Sequence, residues 1–391
     1  MAVSRLNIAL VGSGFMARSH SLAYTMLPLI FDIEPRPRLH TLADVSDELA
    51  QEGARKLGFA HWSSNWQQVV SDPEIDVVLI ATPNNVHREM AEMAIANGKH
   101  IYCEKPLAMS APDAKAMAEA AERAGVCTAV GFNYRKNPSA LAMKQLIDSG
   151  ALGRIFHFRG GFFQDWGVDP NTPLAWRFQR KIAGSGSLGD LASHVLDFVR
   201  FLIGDVVEVS ALTETFIKER PISAGPKDML GSANQDSSDL PKGTVDVDDA
   251  VIALLRFENG AIGTLEATRM ATGHKSQMSI EINGSGGSLS YDHDNLNEFK
   301  VYLHSEQKAY DGFRTILVGP EHPHYASFWP VAGLGIGFQD TKVIDMYEFL
   351  QQITAGTSSS STFRDGWKIQ QITDAIERSA RERRWVSVDE V

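Results

Sequence analysis

The sequence predicts an α/β plus α+β protein: a doubly wound parallel sheet over residues 1–135, then an α+β domain over 136–391 on a large open, mostly antiparallel sheet. Three observations carry that prediction. Apolar strand-like runs alternate with helical patterns up to about residue 130. A glycine-rich turn, "GSGFMA", joins the first strand to the first helix. Near residue 135 the alternation stops and hairpin-linked strands take over. A length of 391 residues suits two or three domains at about 150 residues each.

Composition narrows the function classes. Hydrophobic residues at 43% and charged residues at 22% describe an ordinary globular chain. A net charge of −11 argues against nucleic acid as a partner, because phosphate binding needs basic surface. No stretch approaches the ~18 apolar residues of a membrane helix, so no membrane partner is expected. Cys103 and Cys127 have neither disulfide-framework nor metal spacing, and no metal is expected. The opening residues lack a signal-peptide layout, so a cytoplasmic location is expected.

"LNIALVG" (6–12) reads as a parallel strand buried on both faces, and "RSHSLAYTML" as the helix after it. Gly12, Gly14 and Ala17 fit the dinucleotide fingerprint of a Rossmann fold. Gly12 permits the tight turn, Gly14 lets backbone approach a pyrophosphate, and Ala17 lets the helix lie close to the sheet. "RLHTLAD" (38–44) is the second strand, ending in Asp44. An acid there accepts the adenosine ribose hydroxyls and repels a 2′-phosphate, which predicts NAD over NADP. The alternative is that Asp44 caps the helix "SDELAQEGARKLG", a task Ser46 also suits. The insert "PLIFDIEPRPR" accounts for the long spacing between fingerprint and acid.

"IDVVLIA" and "HIYCEKP" are further strands, each followed by a loop and a helix, and "VCTAVGFNY" is the last of the series. Ligands of such sheets sit beyond the strands' carboxyl ends. Three of those ends carry Asn84–Asn85–His87, Glu104–Lys105 and Asn133–Tyr134–Arg135, which are expected to converge. In the second domain "SALAMKQLIDSGALG" is a helix and "RIFHFRGGFF" a strand. "LGDLASHVLDFVRFLIG" is a helix with Leu188, Leu191, Val195 and Val199 facing the core. Residues 217–246 hold no periodicity and read as an excursion. Hairpins follow around "ENG" and within "MSIEINGSGGSLSYD", and two helices close the chain. "VDVDD" begins a strand; it lacks the glycine and closing glutamate of a calcium loop. His322 and His324 have no partner set for a metal.

Asp190 and His194 lie one helical turn apart and share a face, with Asp197 nearby. A carboxylate beside imidazole orients it as a general base for an alcohol proton, or else Asp190 serves only the helix start. Taken together, "GSGFMA", "ATPNNVH", "CEKPLA", "GFNYR" and "GSGSLGDLASHVLD" resemble the glucose–fructose oxidoreductase / inositol dehydrogenase (Gfo/Idh/MocA) family, along the whole chain. The segments "RSHSLAY", "QDWGVDPNTPLAWRFQRKIAGSG", "VDVDDA" and "GFRT" are similar to members acting on an anhydrosugar.

The resemblance implies a Rossmann domain holding NAD or NADP, and Asp44 points to NAD. It implies a sheet domain supplying most of the substrate site and a homodimer or homotetramer interface. Its cofactor residues fall on Gly12, Gly14, Phe15, Met16, Asp44, Thr82, Pro83, Asn84, His87, Glu104, Lys105 and Asn133. Its E-K-P motif matches Glu104, Lys105 and Pro106, with Lys105 directed at the reacting hydroxyl and a cis Lys105–Pro106 bond. Its D-x-x-x-H pair matches Asp190 and His194, so Lys105, Asp190 and His194 are the catalytic candidates. Glu104 would touch the nicotinamide ribose or hold Lys105. Sugars take flat apolar faces and planar hydrogen-bonding groups, which Tyr134, Arg135, Gln164, Asp165, Trp166, Trp176 and Arg177 offer beside Asp190 and His194. The expected activity is hydride transfer from a secondary hydroxyl of a cyclic sugar, anhydrosugar or polyol to NAD. The alternatives are a glycosidase or lyase with transient oxidation, and a non-catalytic nucleotide-binding regulator. Cys103 reads as a small buried hydrophobe.

Overall fold

The computed structural model describes residues 5–222, 240–304, 309, 311–357 and 361–391. Its contacts divide the chain into two compact units, the first comprising Met1–Lys136 and Gly337–Lys368. In that unit the elements run β1 (Arg5–Val11), α1 (Phe15–Ile30), β2 (Arg36–Ala43), α2 (Asp47–Leu57), β3 (His61–Ser63), α3 (Trp66–Ser71), β4 (Val77–Ile80), α4 (His87–Ala96), β5 (His100–Cys103), α5 (Ala111–Ala124) and β6 (Thr128–Val130). The strands form one parallel sheet in the order β3-β2-β1-β4-β5-β6, as the alternation predicts. All four residues of β4 are buried, because helices cover both faces of a doubly wound sheet.

Local chemistry sets the helix ends. Ser46 and Ser110 accept amide hydrogens at the starts of α2 and α5, and Gly58 and Gly125 end them in left-handed conformation. Ser46 is thus the cap of α2, and Asp44 is left for other work. Two features depart from expectation. α1 continues through Pro28 to Ile30 and β2 starts at Arg36, so the insert over 28–38 is irregular only between them. β3 and α3 were not anticipated; at three and six residues they are too short to show a period.

The second unit comprises Asn137–Ile336 and Ile369–Val391. It contains α6 (Pro138–Asp148), β7 (Ile155–Phe163), α7 (Arg180–Ala183), a π-helical turn (Leu188–Ala192), α8 (Ser193–Ile203), β8 (Val206–Glu214), β9 (Glu219–Pro221), β10 (Lys242–Thr244), β11 (Ala250–Phe257), β12 (Ile262–Thr268), β13 (Gln277–Gly284), β14 (Gly287–Asp292), β15 (Glu298–Leu303), β16 (Arg314–Leu317) and α9 (Tyr325–Phe328). The expected open sheet is present, with nine strands ordered β16-β15-β14-β13-β7-β12-β11-β8 and, at the edge, β17 (Val386–Ser387). Among the described residues every pairing in this sheet is antiparallel except β7 with β12.

Along β11, Val251, Ala253, Leu255 and Phe257 face the core while Ile252, Leu254 and Arg256 are exposed. Leu188, Leu191, Val195 and Val199 are buried as the pattern predicts. The excursion over 217–246 needs correction at its ends. Glu219–Pro221 pairs antiparallel with Lys242–Thr244, and Arg220 in the first of these strands is fully buried. Residues 223–239 lie outside the described residues.

Two later helices complete the chain: α10 (Phe338–Ala355) and α11 (Phe363–Glu382). The sequence reading placed everything after 135 in the second domain, but Gly337–Lys368 groups with the first unit. α10 packs on α1 and on the short turn Asn133–Lys136. Its Lys342, Asp345 and Glu348 are buried, and each finds its polar partner in the first unit. Among the described residues, no helix is long and apolar enough to cross a membrane.

Candidate active site

In the first unit the fingerprint folds as its spacing demands. Gly12 has φ +97°, and a Cβ there would lie 2.6 Å from the Ala81 carbonyl oxygen. Gly14 caps α1 without a side-chain hydrogen bond, and no atom lies within 4 Å of where its Cβ would be. No acidic residue occupies the first turn of α1. That helix start therefore offers unobstructed amide hydrogens and a positive dipole end, which fits a pyrophosphate. Phe15 is exposed beside this turn, Met16 is half-buried and Ala17 is buried.

Asp44 accepts from the Ser13 amide at 2.8 Å and from the Val45 amide at 2.6 Å. It holds the glycine-rich turn from the end of β2. Its remaining lone pairs suit ribose hydroxyls, since a carboxylate oxygen accepts more than one hydrogen bond. The residues thus fit a dinucleotide.

Thr82 is half-buried, Pro83 and Asn85 are exposed, and Asn84 is buried. His87 is fully buried, with Nδ1 3.1 Å from the Pro106 carbonyl and Nε2 3.0 Å from the Thr82 carbonyl. It ties the loop after β4 to the loop after β5. Burial pushes its pKa below the usual imidazole value, against the pull of those carbonyls. Asn133 donates to Thr341 Oγ1 at 2.8 Å, Arg135 lies 3.7 Å from Asp365, and the Tyr134 ring meets Phe338 edge-on. The loops after β4 and β5 are thus joined through His87, and α10 packs on the Asn133–Lys136 turn after β6.

Glu104 is the electrostatic centre of this unit. Its Oε1 is 2.8 Å from His20 Nε2 and 3.2 Å from Lys342 Nζ, and its Oε2 accepts from the Lys105 amide at 3.2 Å. The carboxylate lies flat against Gly131, where a Cβ would come within 2.9 Å of Oε2. Burial alone opposes ionisation. The Lys342 ammonium, the His20 hydrogen bond and the Lys105 charge nevertheless hold the Glu104 carboxyl well below the usual range. Lys105 itself is half-buried, and its bond to Pro106 is cis. Cys103 is fully buried and its thiol pKa is pushed well up, as for an inert hydrophobe.

In the second unit Asp190 lies in the π-helical turn and His194 at the start of α8. The sequence reading made both α-helical. Asp248 grips the chain where this turn begins. Its Oδ1 accepts from the Gly186 amide at 2.7 Å, and its Oδ2 from Ser187 Oγ at 2.7 Å and the Leu188 amide at 2.8 Å. The grip requires glycine at 186, where a Cβ would overlap the Asp248 carbonyl at 1.8 Å. π turns of this kind occur frequently at functional sites.

Arg177 is stacked on Trp176 at 4.0 Å, and its Nε lies 3.8 Å from Asp190 Oδ2. These three candidates are therefore brought together. His194 is buried, with its ring edge toward Phe162, and Asp197 is buried one turn on. Gln164 and Trp166 are turned to each other, Trp166 Nε1 donating to Gln164 Oε1 at 2.8 Å. Asp165 is turned to Lys275 and the Gly273 amide. Trp166 packs with Leu174 on the cluster Ala175, Phe178, Val245 and Val247. Arg220 and Arg269 both stack on Phe178, at 4.1 and 4.4 Å, and Arg269 pairs with Asp249 at 2.8 Å. The acids of "VDVDD" thus precede β11 and hold the loop and helix that carry the candidates.

Sequence reasoning missed His20, Lys342 and Asp248. The signal for the first two was a polar residue on a core-facing helical stripe; Asp248 gave none beyond its acidic neighbours.

Residues 6–132 match the family described as "Oxidoreductase family, NAD-binding Rossmann fold", and residues 140–290 match the "GFO/IDH/MocA C-terminal domain". The chain is 44% identical to levoglucosan dehydrogenase of Pseudarthrobacter phenanthrenivorans over 390 residues, covering all of both chains. It is 28% identical to D-apiose dehydrogenase of Paraburkholderia graminis over 390 residues, 99% of this chain and 90% of that one. The solved structure of levoglucosan dehydrogenase in complex with NADH and levoglucosan superposes with a TM-score of 0.91, covering 98% of this chain and 99% of that one. With both domains matched and a relative 44% identical over the full chain, this chain belongs to the GFO/IDH/MocA family and is an NAD-dependent dehydrogenase acting on CH–OH.

Proposed function

We propose that the substrate is a cyclic sugar, anhydrosugar or polyol, oxidised at a secondary hydroxyl. The observation that carries this reading is the full-length 44% identity to an enzyme named for levoglucosan. Lys105 donates a charged hydrogen bond to the substrate oxygen and stabilises alkoxide character there. His194 takes the hydroxyl proton, a contribution of roughly 10²–10⁴ in rate. Asp190 orients His194. NAD, when bound, supplies the acceptor for the carbon-bound hydrogen. Gly12, Gly14, Phe15, Met16, Asp44, Thr82, Pro83 and Asn84 hold it, and Trp176 and Arg177 line the sugar. A cytoplasmic setting belongs to the same reading, supported by the unbridged Cys103 and Cys127.

The reading includes a second copy of the chain on the open face of the nine-stranded sheet. Leu212, Ile252, Leu254 and Ile262 are exposed on neighbouring strands of that face. They run into a groove of about 690 Å³ lined by Arg159, Glu266, Glu281 and Lys300. Such a mixed apolar and ionic face suits an isologous contact. A monomeric mass in solution would remove this part.

One assay tests the reaction. Purified protein receives NAD, or NADP in parallel, with anhydrosugars, pyranoses, glycosides and inositols. NADH accumulation with one class, abolished in Lys105→Ala and in His194→Ala, is the expected result. Product release without net NADH would point instead to transient oxidation in a lyase or glycosidase. Absence of turnover with every substrate would favour the regulator. Preference for NADP would contradict the role given to Asp44.

A further inference from the structure

Behind Lys105 the first unit contains a buried charged network whose members come from three distant segments. α1 contributes His20, β5 and the turn after it contribute Tyr102 and Glu104, and α10 contributes Lys342 and Asp345. His20, Tyr102, Lys342 and Asp345 are each at most 1% exposed, and Glu104 is 7% exposed. Tyr102 donates to Asp345 at 2.5 Å, and Lys136 pairs with Glu348 nearby. An ammonium is not buried at 1% exposure without a compensating partner, and Lys342 has its partner in Glu104.

His20 completes the arrangement. Glu104 offers only lone pairs when ionised, so the imidazole carries its proton on Nε2 and donates to Oε1. Its Nδ1 is buried with no hydrogen-bond partner among the described residues, which fits a neutral ring. Burial pushes the His20 pKa down, against the hydrogen bond to Glu104.

Both of these donors address one oxygen, Oε1. The other, Oε2, accepts from the backbone amide of Lys105. With Oε1 fixed and Gly131 against the flat of the carboxylate, Oε2 has one place to be. The Lys105 amide is thereby pinned at the point where the side chain leaves the backbone. We propose that Lys342 and His20 are positioning residues for Lys105, acting through Glu104, which serves as a fixed anionic anchor and not as a ligand of the cofactor. This rests on the reading that Lys105 polarises the substrate hydroxyl.

The charged and titratable groups facing Glu104 are His20 from α1, His87 from α4, Tyr102, Cys103 and Lys105 from β5 and its turn, and Lys342 from α10, with Asp345 joined to the set through Tyr102. With Lys342 removed, Glu104 takes up a proton at higher pH, and the anchor weakens at a pH where the native protein keeps it.

The experiment uses the full chain with Lys342→Met, Lys342→Arg, Glu104→Gln, His20→Leu and Lys105→Ala. It reads kcat, KM, the pH profile of kcat, melting temperature, and NADH binding by fluorescence. Lys342→Met and Glu104→Gln are expected to lower kcat by roughly ten- to a hundredfold, the scale of a small misplacement of a reacting group. NADH affinity is expected to stay within about twofold of the parent's, because the anchor acts through Lys105 alone. The acid limb of the Lys342→Met profile moves to higher pH, and Lys342→Arg regains most of the activity.

Should Lys342→Met fail to fold, the double variant Lys342→Met/Glu104→Gln removes both charges and restores folding while kcat stays low. His20→Leu gives a third reading, a several-fold fall in kcat. Parent-like kcat and pH profile in a folded Lys342→Met or double variant would overturn the proposal. Weakened NADH binding with kcat intact at saturation would do so too, by making Glu104 a cofactor ligand. Unimpaired Lys105→Ala would overturn the underlying reading of Lys105 instead.

Discussion

Glu104 and Asp248 are buried carboxylates, one in each unit, and each holds the backbone beside residues proposed for chemistry. They are held differently. Glu104 faces an ammonium and an imidazole and accepts one backbone amide. Asp248 accepts two backbone amides and one hydroxyl, all within 2.7–2.8 Å. The first is an ion pair in a dry interior, where the attraction is strong but both charges have lost their hydration. The second is a set of directed bonds to neutral donors, which relieve the charge without burying a counter-charge. Charge-held geometry should respond to pH and to loss of the partner, whereas bond-held geometry should respond to any change in shape.

The largest expected effect is on the charge-held side. Lys342→Met leaves the Glu104 carboxylate buried beside a thioether, and breaking a buried pair in this way costs about 3–5 kcal/mol. Removing both charges should recover much of that loss, a coupling that urea unfolding of the single and double variants measures. If the double variant is no more stable than Lys342→Met, the pair is not the term that matters. Asp248→Asn is the matching test on the bond-held side. The amide keeps the shape but has only one accepting oxygen for three donors, so at least one donor is stranded, at about 1–3 kcal/mol. Changing Gly186 to Ala should cost at least as much, because the Cβ would overlap the Asp248 carbonyl.

Lowering the pH separates the two kinds of hold further. The depressed carboxyl of Glu104 contributes stability above the unfolded glutamate pKa of about 4.3, and that contribution fades only below it. Between pH 7 and 5 the loss comes from buried histidines that stay neutral when folded. His20 and His87 have lowered pKa values, and His293 is brought down to about 4, each mainly by burial. The unfolded chain binds protons below about pH 6.5 while the folded chain does not, so stability falls as the pH drops. His293 alone accounts for about 2 kcal/mol by pH 5, at about 1.4 kcal/mol per pH unit below 6.5. His293→Gln should flatten the melting-temperature profile between pH 7 and 5, and an unchanged profile would show that His293 titrates normally.

How far the sequence could foretell these arrangements depends on range. The Rossmann half was legible because its signals are local: Gly12 for the turn, Ser46 and Ser110 for helix starts, Gly58 and Gly125 for ends. The D-x-x-x-H spacing of Asp190 and His194 was legible for the same reason. The hold of Asp248 on the start of the π turn was not, since Asp248 lies 60 residues along the chain from the Leu188 amide it accepts. Nor was the assignment of α10 to the first unit. Lys342 meets Glu104 across 238 residues and Tyr102 meets Asp345 across 243, and no periodicity within a helix states where its partners are. The short β3, α3 and β16 were lost because three to six residues carry too little pattern.

The smallest expected effect marks the other end of the comparison. Arg364 makes two bonds to Glu122, at 2.6 and 2.5 Å, a geometry as good as any in the interior. Both side chains are nevertheless about half exposed, so water and salt screen the pair and holding two long side chains costs entropy. Arg364→Gln should cost about 0–1 kcal/mol and shrink further as salt is raised. If it cost as much as Lys342→Met, good geometry and not burial would be the governing variable, and the contrast drawn between Glu104 and Asp248 would fail with it. A near-neutral result, with Lys342→Met strongly destabilised, would mean that desolvation makes the Glu104 anchor depend on its cation.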